Sequence, residues 1–95
     1  RRNLANDGVV FVNVAIDSDA GKVVGTPEVV GKGVVALDDE VAELKEVLLD
    51  LLNSYSHAEL HDRASVHAQI SDVTRKFLRR VINRRPLVVA TVVDV

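Results

Sequence analysis

The chain has 95 residues, 47% hydrophobic and 27% charged, which are the proportions of a folded globular domain. It has no cysteine, which excludes disulfides and thiolate zinc sites, and its apolar runs are too short to span a bilayer. The net charge of −2 is unevenly distributed, with five basic and eleven acidic side chains in residues 1–61, and seven basic and three acidic in residues 62–95. Such polarity can steer a partner, but two helices with differently charged solvent faces are the simpler explanation.

The chain begins at Arg1 without a signal-peptide pattern, which we interpret as a fragment of a longer cytoplasmic protein. Residues 1–7 are expected to be the end of a linker or of a preceding helix, followed by a turn at Gly8. Residues 9–17 then alternate strictly, which predicts a β-strand. One face of this strand carries Val10, Val12, Val14 and Ile16, and the other carries Val9, Phe11, Asn13, Ala15 and Asp17.

A second strand over residues 23–30 completes a hairpin, because residues 18–22 supply a turn in which Gly21 can adopt a left-handed conformation. Pro27 cannot donate a ladder hydrogen bond, so this strand is expected at a sheet edge or with a bend near its middle. The apolar residues 34–37 could add a short fourth strand.

Two amphipathic helices are predicted next. The first begins at residues 38–40, where Asp38 or Asp39 can cap it, and its wide apolar arc is expected to touch the sheet plus either the second helix or another subunit. The second helix is expected to begin near Ser65, after a polar connection over residues 56–63. The inner stripe of the first helix is Val41, Leu44, Leu48, Leu51, Leu52 and Tyr55, and that of the second is Val66, Ile70, Val73, Phe77 and Val81.

The second helix must end before Pro86, and the apolar residues 87–95 predict a last strand. The order β-β-α-α-β predicts an α+β domain, with a three-stranded mixed sheet, or four-stranded with the short strand, and two antiparallel helices packed on one face. The last strand is expected to run parallel to a central first strand. The uncovered sheet face, expected to carry Val9, Phe11, Val88 and Val92, predicts a docking surface.

A basic face on the second helix is the main candidate for partner contact. It carries Arg75, Lys76, Arg79 and Arg80, which lie opposite the apolar stripe. These side chains could contact successive phosphates of RNA, a neighbouring acidic surface, or only water. No aromatic residue is interleaved for base stacking, and the isoelectric point of about 5.9 is far below that of dedicated nucleic-acid binders.

Catalytic and metal sites find little support in the sequence. His57, His61 and His67 could be metal ligands, but their spacing defines no tetrahedral set, and solvent-exposed or capping histidines explain them better. Ser56, His57 and Asp62 could be grouped as a triad only by composition, which does not define one. We therefore predict no catalytic residue, metal, cofactor or small-molecule ligand in this chain.

Three short motifs, in their order and spacing, resemble the C-terminal domain of ribonuclease J. They lie in the hairpin and before the last strand, and are Gly21-Lys22-Val23-Val24, Pro27-Glu28 and Arg84-Arg85-Pro86. The resemblance spans essentially the whole chain, although the helices match only in pattern. The chain departs from the family at Thr26, where glycine is common, at Lys32-Gly33-Val34, where Arg-Gly-aromatic is usual, and at Asp94, where glutamate is usual.

The resemblance implies that residues 1–95 are the non-catalytic C-terminal domain of a metal-dependent ribonuclease, a 5′ exonuclease and endonuclease of bacterial RNA processing and decay. The parent's two metal ions, expected to be zinc, would lie in an upstream metallo-β-lactamase domain with a β-CASP insertion. The implied role of this domain is to support oligomer assembly and full activity, by self-association or by docking on the catalytic domains. The alternative is an accessory RNA-binding module that uses the basic helix face.

Overall fold

A hairpin forms two thirds of the sheet in the computed structural model, which describes residues 8–34, 38–83 and 85–95. Strand β1 spans Val9–Asp17 and strand β2 spans Lys22–Lys32. Gly21 closes the turn between them with a φ of +70°, as the sequence predicts, and donates its N–H to the carbonyl of Asp17 at 2.8 Å. Strand β2 continues to Lys32, two residues beyond its predicted end at residue 30.

The pairing of β1 with β2 is interrupted at Pro27. Asn13 pairs with Glu28 and Ala15 pairs with Val24, so one residue of β1 lies opposite three residues of β2. Because proline has no N–H to donate, its place in this irregularity leaves no ladder bond unmade. The edge position that Pro27 predicts is confirmed, and the irregularity in the pairing lies near the middle of the strand, where the alternative prediction places a bend.

Strand β3 spans Leu87–Asp94 and pairs with β1 in parallel, so the strand order is β2-β1-β3. The predicted central position of the first strand and the parallel last strand are confirmed. The short strand predicted over residues 34–37 is not supported at Val34, which lies outside any strand, and residues 35–37 are outside the described part of the chain. Residues 1–7 also lie outside it.

Three helices connect β2 to β3. Helix α1 spans Asp38–Asn53, α2 spans His57–His61 and α3 spans Arg63–Val81. Helix α1 packs against β2 and α3, and α3 packs against β3, so the first helix contacts the sheet and the second predicted helix rather than requiring another subunit. Helices α1 and α3 cover one face of the sheet, and the predicted α+β class is confirmed.

Two details of the helical region differ from the prediction. The polar connection contains the five-residue helix α2, because Ser56 and Glu59 form a capping box: the Glu59 N–H donates to Ser56 Oγ, and the Ser56 N–H donates to Glu59 Oε1. Helix α3 begins at Arg63 instead of near Ser65. Its N-cap is Asp62, whose carboxylate accepts the N–H of Ser65 at 3.2 Å.

The hydrophobic core lies between the sheet and the helices. The inner face of β1 is almost fully buried, as its alternation predicts. The buried apolar residues of the helices come from both predicted stripes, together with Leu60 of α2 and Leu78 of α3. The core side chains are Val10, Val12, Val14, Ile16, Val29, Leu44, Leu48, Leu52, Leu60, Val66, Ile70, Phe77 and Leu78. With a single buried phenylalanine, the core is aliphatic, as the composition indicates.

Candidate interaction surfaces

The sheet face turned away from the helices, which we call the outer face, carries a group of exposed hydrophobic side chains. Cross-strand pairing places them in rows that run across the sheet. One row has Phe11 at its centre and another has Ala15 at its centre. The exposed members of the two rows and of the adjoining end of β3 are Phe11, Val30, Val89, Val24, Val93 and Leu87. A group of exposed hydrophobic side chains on one face of a small domain marks a site of association.

A polar row separates these two apolar rows. It consists of Glu28 on β2, Asn13 on β1 and Thr91 on β3, which are aligned by the register of the three strands. Asn13 Nδ2 donates to Glu28 Oε1 at 3.0 Å. The outer face is therefore patterned, with apolar rows on both sides of a polar centre.

Two of the four residues predicted for the docking surface lie elsewhere. Val9 and Phe11 belong to the outer face, but Val88 and Val92 point toward the helices and pack against the core. The reason is the register: the Leu87 N–H donates to the Gly8 carbonyl, so Val9 is level with Leu87 and shares a face with it. The outer positions of β3 are consequently the odd-numbered residues 87–93.

The basic residues of α3 are all exposed, as predicted, but they do not form one surface. Lys76 and Arg80 flank the junction with α1, beside Val47. Lys76 Nζ is 3.1 Å from Asp72 Oδ2, and the Arg80 guanidinium lies 5.8 Å from the centre of the Phe77 ring. Both cations therefore already have favourable contacts within the helix.

Arg75 and Arg79 lie on the other flank of α3, toward the segment that enters β3. Together with Arg85 and Pro86 they line a cavity of about 180 Å³. Arg85 comes from beyond the end of the helix, so the sequence wheel could not have placed it with the other two. We call this place the arginine cavity.

Two of the three histidines contact backbone carbonyls, one in the turn after β1 and one in β3. His57 Nε2 lies 2.7 Å from the carbonyl oxygen of Ser18, and His67 Nε2 lies 2.9 Å from that of Ala90. Throughout the described ranges, no three side chains of the types that bind metals come together. The contacts of His57 and His67 are thus structural ties between the helical layer and the strands.

The residues that composition alone would group as a triad have separate tasks. The Ser56 hydroxyl caps α2, His57 reaches the turn after β1, and Asp62 caps α3. None of the three contacts another in a nucleophile–base–acid arrangement among the hydrogen bonds of the described residues. The capping signature Ser-x-x-Glu at residues 56–59 would have revealed the true role of Ser56 from the sequence.

Two titratable groups have perturbed pKa values, and both are explained by local contacts. The pKa of Asp94 is lowered because its carboxylate accepts hydrogen bonds from Ser18 Oγ at 2.6 Å and from the Ser18 N–H at 3.1 Å. The pKa of Tyr55 is raised by partial burial and by the negative charge of Glu59. Tyr55 Oη also donates to Gln69 Oε1 at 2.5 Å. Both groups stabilise junctions between elements.

The described residues thus define an α+β domain with an apolar outer sheet face and basic side chains on two flanks of α3. The family model for the ribonuclease J C-terminal domain matches residues 1–95, the whole chain. The chain therefore belongs to the ribonuclease J C-terminal domain family, as its motifs indicate. None of the helices in the described ranges has the length and apolar character needed to cross a membrane.

Proposed function

We propose that this chain is a non-catalytic assembly domain that associates with a second copy through its outer face. The observation that carries the proposal is the group of large hydrophobic side chains exposed on that face, among them Phe11, Val89 and Leu87. Removing such side chains from water contributes about 25 cal/mol per Å². Association is the simplest way for this surface to be covered.

The pattern of the outer face is self-complementary. Its apolar rows lie on both sides of the polar row, so a twofold axis through Asn13, along the strands or across them, would bring polar row onto polar row. An axis across the strands would set Glu28 against Glu28 of the second copy. An axis along the strands instead sets Glu28 against Thr91 of the second copy, whose hydroxyl can donate to the carboxylate. We therefore favour the twofold axis along the strands.

The size of the face predicts a weak dimer for the isolated domain. Three strands about 4.8 Å apart and about eight residues long, at about 3.3 Å per residue, present about 400 Å² in projection. A standard interface buries about 800 Å² per partner, so this face supplies only part of a stable interface. In the parent protein, further contacts would add to it, and linked sites reinforce one another.

The parent of this domain, in the same proposal, is a bacterial cytoplasmic ribonuclease that processes and degrades RNA as an exonuclease and endonuclease. Catalysis belongs to a metallo-β-lactamase domain outside this chain, where metal ions, expected to be zinc, activate water. Family membership supports this assignment. Treating the purified parent with a chelator should abolish RNA cleavage without changing the association of this domain.

Sedimentation velocity of the 95-residue chain over a range of concentrations tests the assembly role. The wild-type chain should show a rising sedimentation coefficient, and Val89→Lys should remain monomeric because it places a charge in an apolar row. Ala64→Lys adds the same charge at an exposed position of α3 and should behave like the wild type. A wild-type chain that stays monomeric at the highest concentration, or equal association of the two variants, would refute self-association through the outer face.

A further inference from the structure

The arginine cavity is built from two separate parts of the chain. Arg75 and Arg79 are one helical turn apart on α3, about 6 Å along the axis. The helix ends at Val81, and Asn83 follows with a φ of +54°, a left-handed conformation that turns the chain back. Pro86 is buried and anchors the returning segment, so Arg85 comes to lie on the wall of the same cavity.

The charges of this cavity differ from those on the other flank of the helix. Arg75 and Arg79 are exposed and form no ion pair within the described residues, whereas Lys76 is paired with Asp72 and Arg80 lies over Phe77. The described wall of the cavity contains no acidic side chain. The guanidinium groups of Arg75 and Arg79, which share this space and have no ion pair among the described residues, provide a site for an anion.

The size and the lining of the cavity suit a phosphate group. Its volume of about 180 Å³ greatly exceeds the roughly 10–15 Å³ needed for one water, so it can hold a phosphate with part of its hydration. Guanidinium forks match phosphate oxygens with paired hydrogen bonds. Pro86 contributes the apolar part of the cavity wall.

We propose that the arginine cavity binds the phosphodiester backbone of single-stranded RNA. Arg75 and Arg79 follow one another along the helix, so they can contact two neighbouring phosphates of one RNA strand. A single carboxylate of a protein partner would engage only one of the two arginines. No aromatic side chain lines the cavity among the described residues, so the contact reads no bases and is independent of sequence. The acidic first part of the chain repels RNA elsewhere and directs it to this end of α3.

This site is independent of the assembly role, because it uses side chains of α3 and of the segment before β3 rather than the outer face. Val89→Lys should leave RNA binding in place, and loss of Arg75 or Arg79 should leave association in place. Failure of one proposal would therefore not be mistaken for failure of the other.

Fluorescence anisotropy with a labelled oligouridylate, titrated at low and at moderate salt, tests the proposal. The double variant Arg75→Gln/Arg79→Gln should bind at least about tenfold more weakly at low salt. The slope of log affinity against log salt should fall by about 1.4, since each phosphate contact on a single strand contributes about 0.7. All four substituted residues in this and the control variant are exposed, so circular dichroism should confirm an unchanged fold.

The matched control is Lys76→Gln/Arg80→Gln, which removes the same charge from the other flank of α3. It should weaken binding by less than about threefold, as expected for loss of long-range attraction alone. Equal losses in both double variants, or no binding of the oligouridylate at low salt, would overturn the proposal. Oligoglutamate is the competing ligand: binding that depends on Arg75 and Arg79 while RNA fails to bind would also overturn it, in favour of an acidic protein partner.

Discussion

The inner and outer faces of the sheet use the same three strands but differ in what covers them. On β1, the inner side chains Val10 and Val12 are fully buried by the helices, whereas Phe11 between them is 37% exposed. The inner face therefore holds the fold together, and the outer face contributes little to it. This division leaves the outer face available for a partner without a change in the core.

The largest effect should come from comparing two leucines on opposite sides of this division. Leu48 on α1 is 0% exposed and Leu87 on β3 is 45% exposed. Leu48→Ala leaves a cavity and should lower the free energy of unfolding by about 3 kcal/mol, and Leu87→Ala by less than about 1 kcal/mol, in urea titrations of dilute protein. Similar losses would show that the outer face is also part of the stabilising core.

Two glycines test how the helical layer is tied to the hairpin. Gly21 and Gly25 have nearly the same φ, +70° and +68°, but a Cβ at Gly21 would lie 2.7 Å from Cγ of His57, and one at Gly25 would meet nothing within 4 Å. Gly25→Ala should cost about 1 kcal/mol from backbone strain alone. Gly21→Ala should cost about 2 kcal/mol or more, because His57 must also move.

The measurement for both glycine variants is the midpoint of urea unfolding, repeated in a His57→Ala background. Removal of the His57 ring should bring Gly21→Ala close to Gly25→Ala. If the difference between the two variants persists without the ring, then the contact of His57 with the turn is not its cause.

Two threonines provide a smaller test of the buried layer. Thr74 on α3 is 0% exposed, and its Oγ1 has no hydrogen-bond partner within the described residues. Thr74→Val should raise the free energy of unfolding by about 1 kcal/mol, because an unpaired buried hydroxyl is replaced by a methyl group. Thr91→Val, on the outer face, should change monomer stability little when both variants are compared with the wild type by thermal unfolding. A destabilised Thr74→Val variant would mean that the hydroxyl has a partner in solution.

The smallest effect concerns pH and the junction between β3 and the first turn. The pKa of Asp94 is lowered by the two hydrogen bonds from Ser18. Its contribution to stability is therefore complete above the unfolded pKa of about 3.9 and is lost as the pH falls through the lower folded value. Wild-type protein should be more stable than Asp94→Asn at neutral pH, and the difference should shrink below about pH 4. A constant difference from neutral to acidic pH would contradict this assignment.

The sequence predicts the hairpin well because each signal there is local. Strict alternation fixes the faces of β1, and Gly21 and Pro27 constrain the backbone at their own positions. The two helical stripes are equally local, since apolar residues recur at a spacing that only one face of a helix can satisfy. These parts of the fold depend on few distant contacts.

The faces of β3 could not be predicted in the same way. This strand is apolar at both odd and even positions, so alternation gives no preference, and the prediction that Val88 and Val92 lie on the outer face is wrong. The deciding contact, from the Leu87 N–H to the Gly8 carbonyl, joins residues far apart in the chain. Thr91 gives a weak indication of which face is outward, because this polar residue at an odd position of β3 lies beside Asn13 in the polar row.

The basic face of α3 shows a similar limit. A helical wheel predicts that Arg75, Lys76, Arg79 and Arg80 are exposed, and they are. It contains no information on which neighbour borders each flank, so it could not separate the pair near α1 from the pair near Arg85. Only the path of the chain after α3 brings Arg85 to the cavity.

Amide chemical shifts of the labelled 95-residue chain, recorded as the protein concentration is raised, test the central claim most directly. The account predicts concentration-dependent shifts at Phe11, Val30 and Val89, with none at the exposed residues of α3. Shifts confined to the helices, or spectra unchanged at every concentration, would contradict association through the outer face of the sheet.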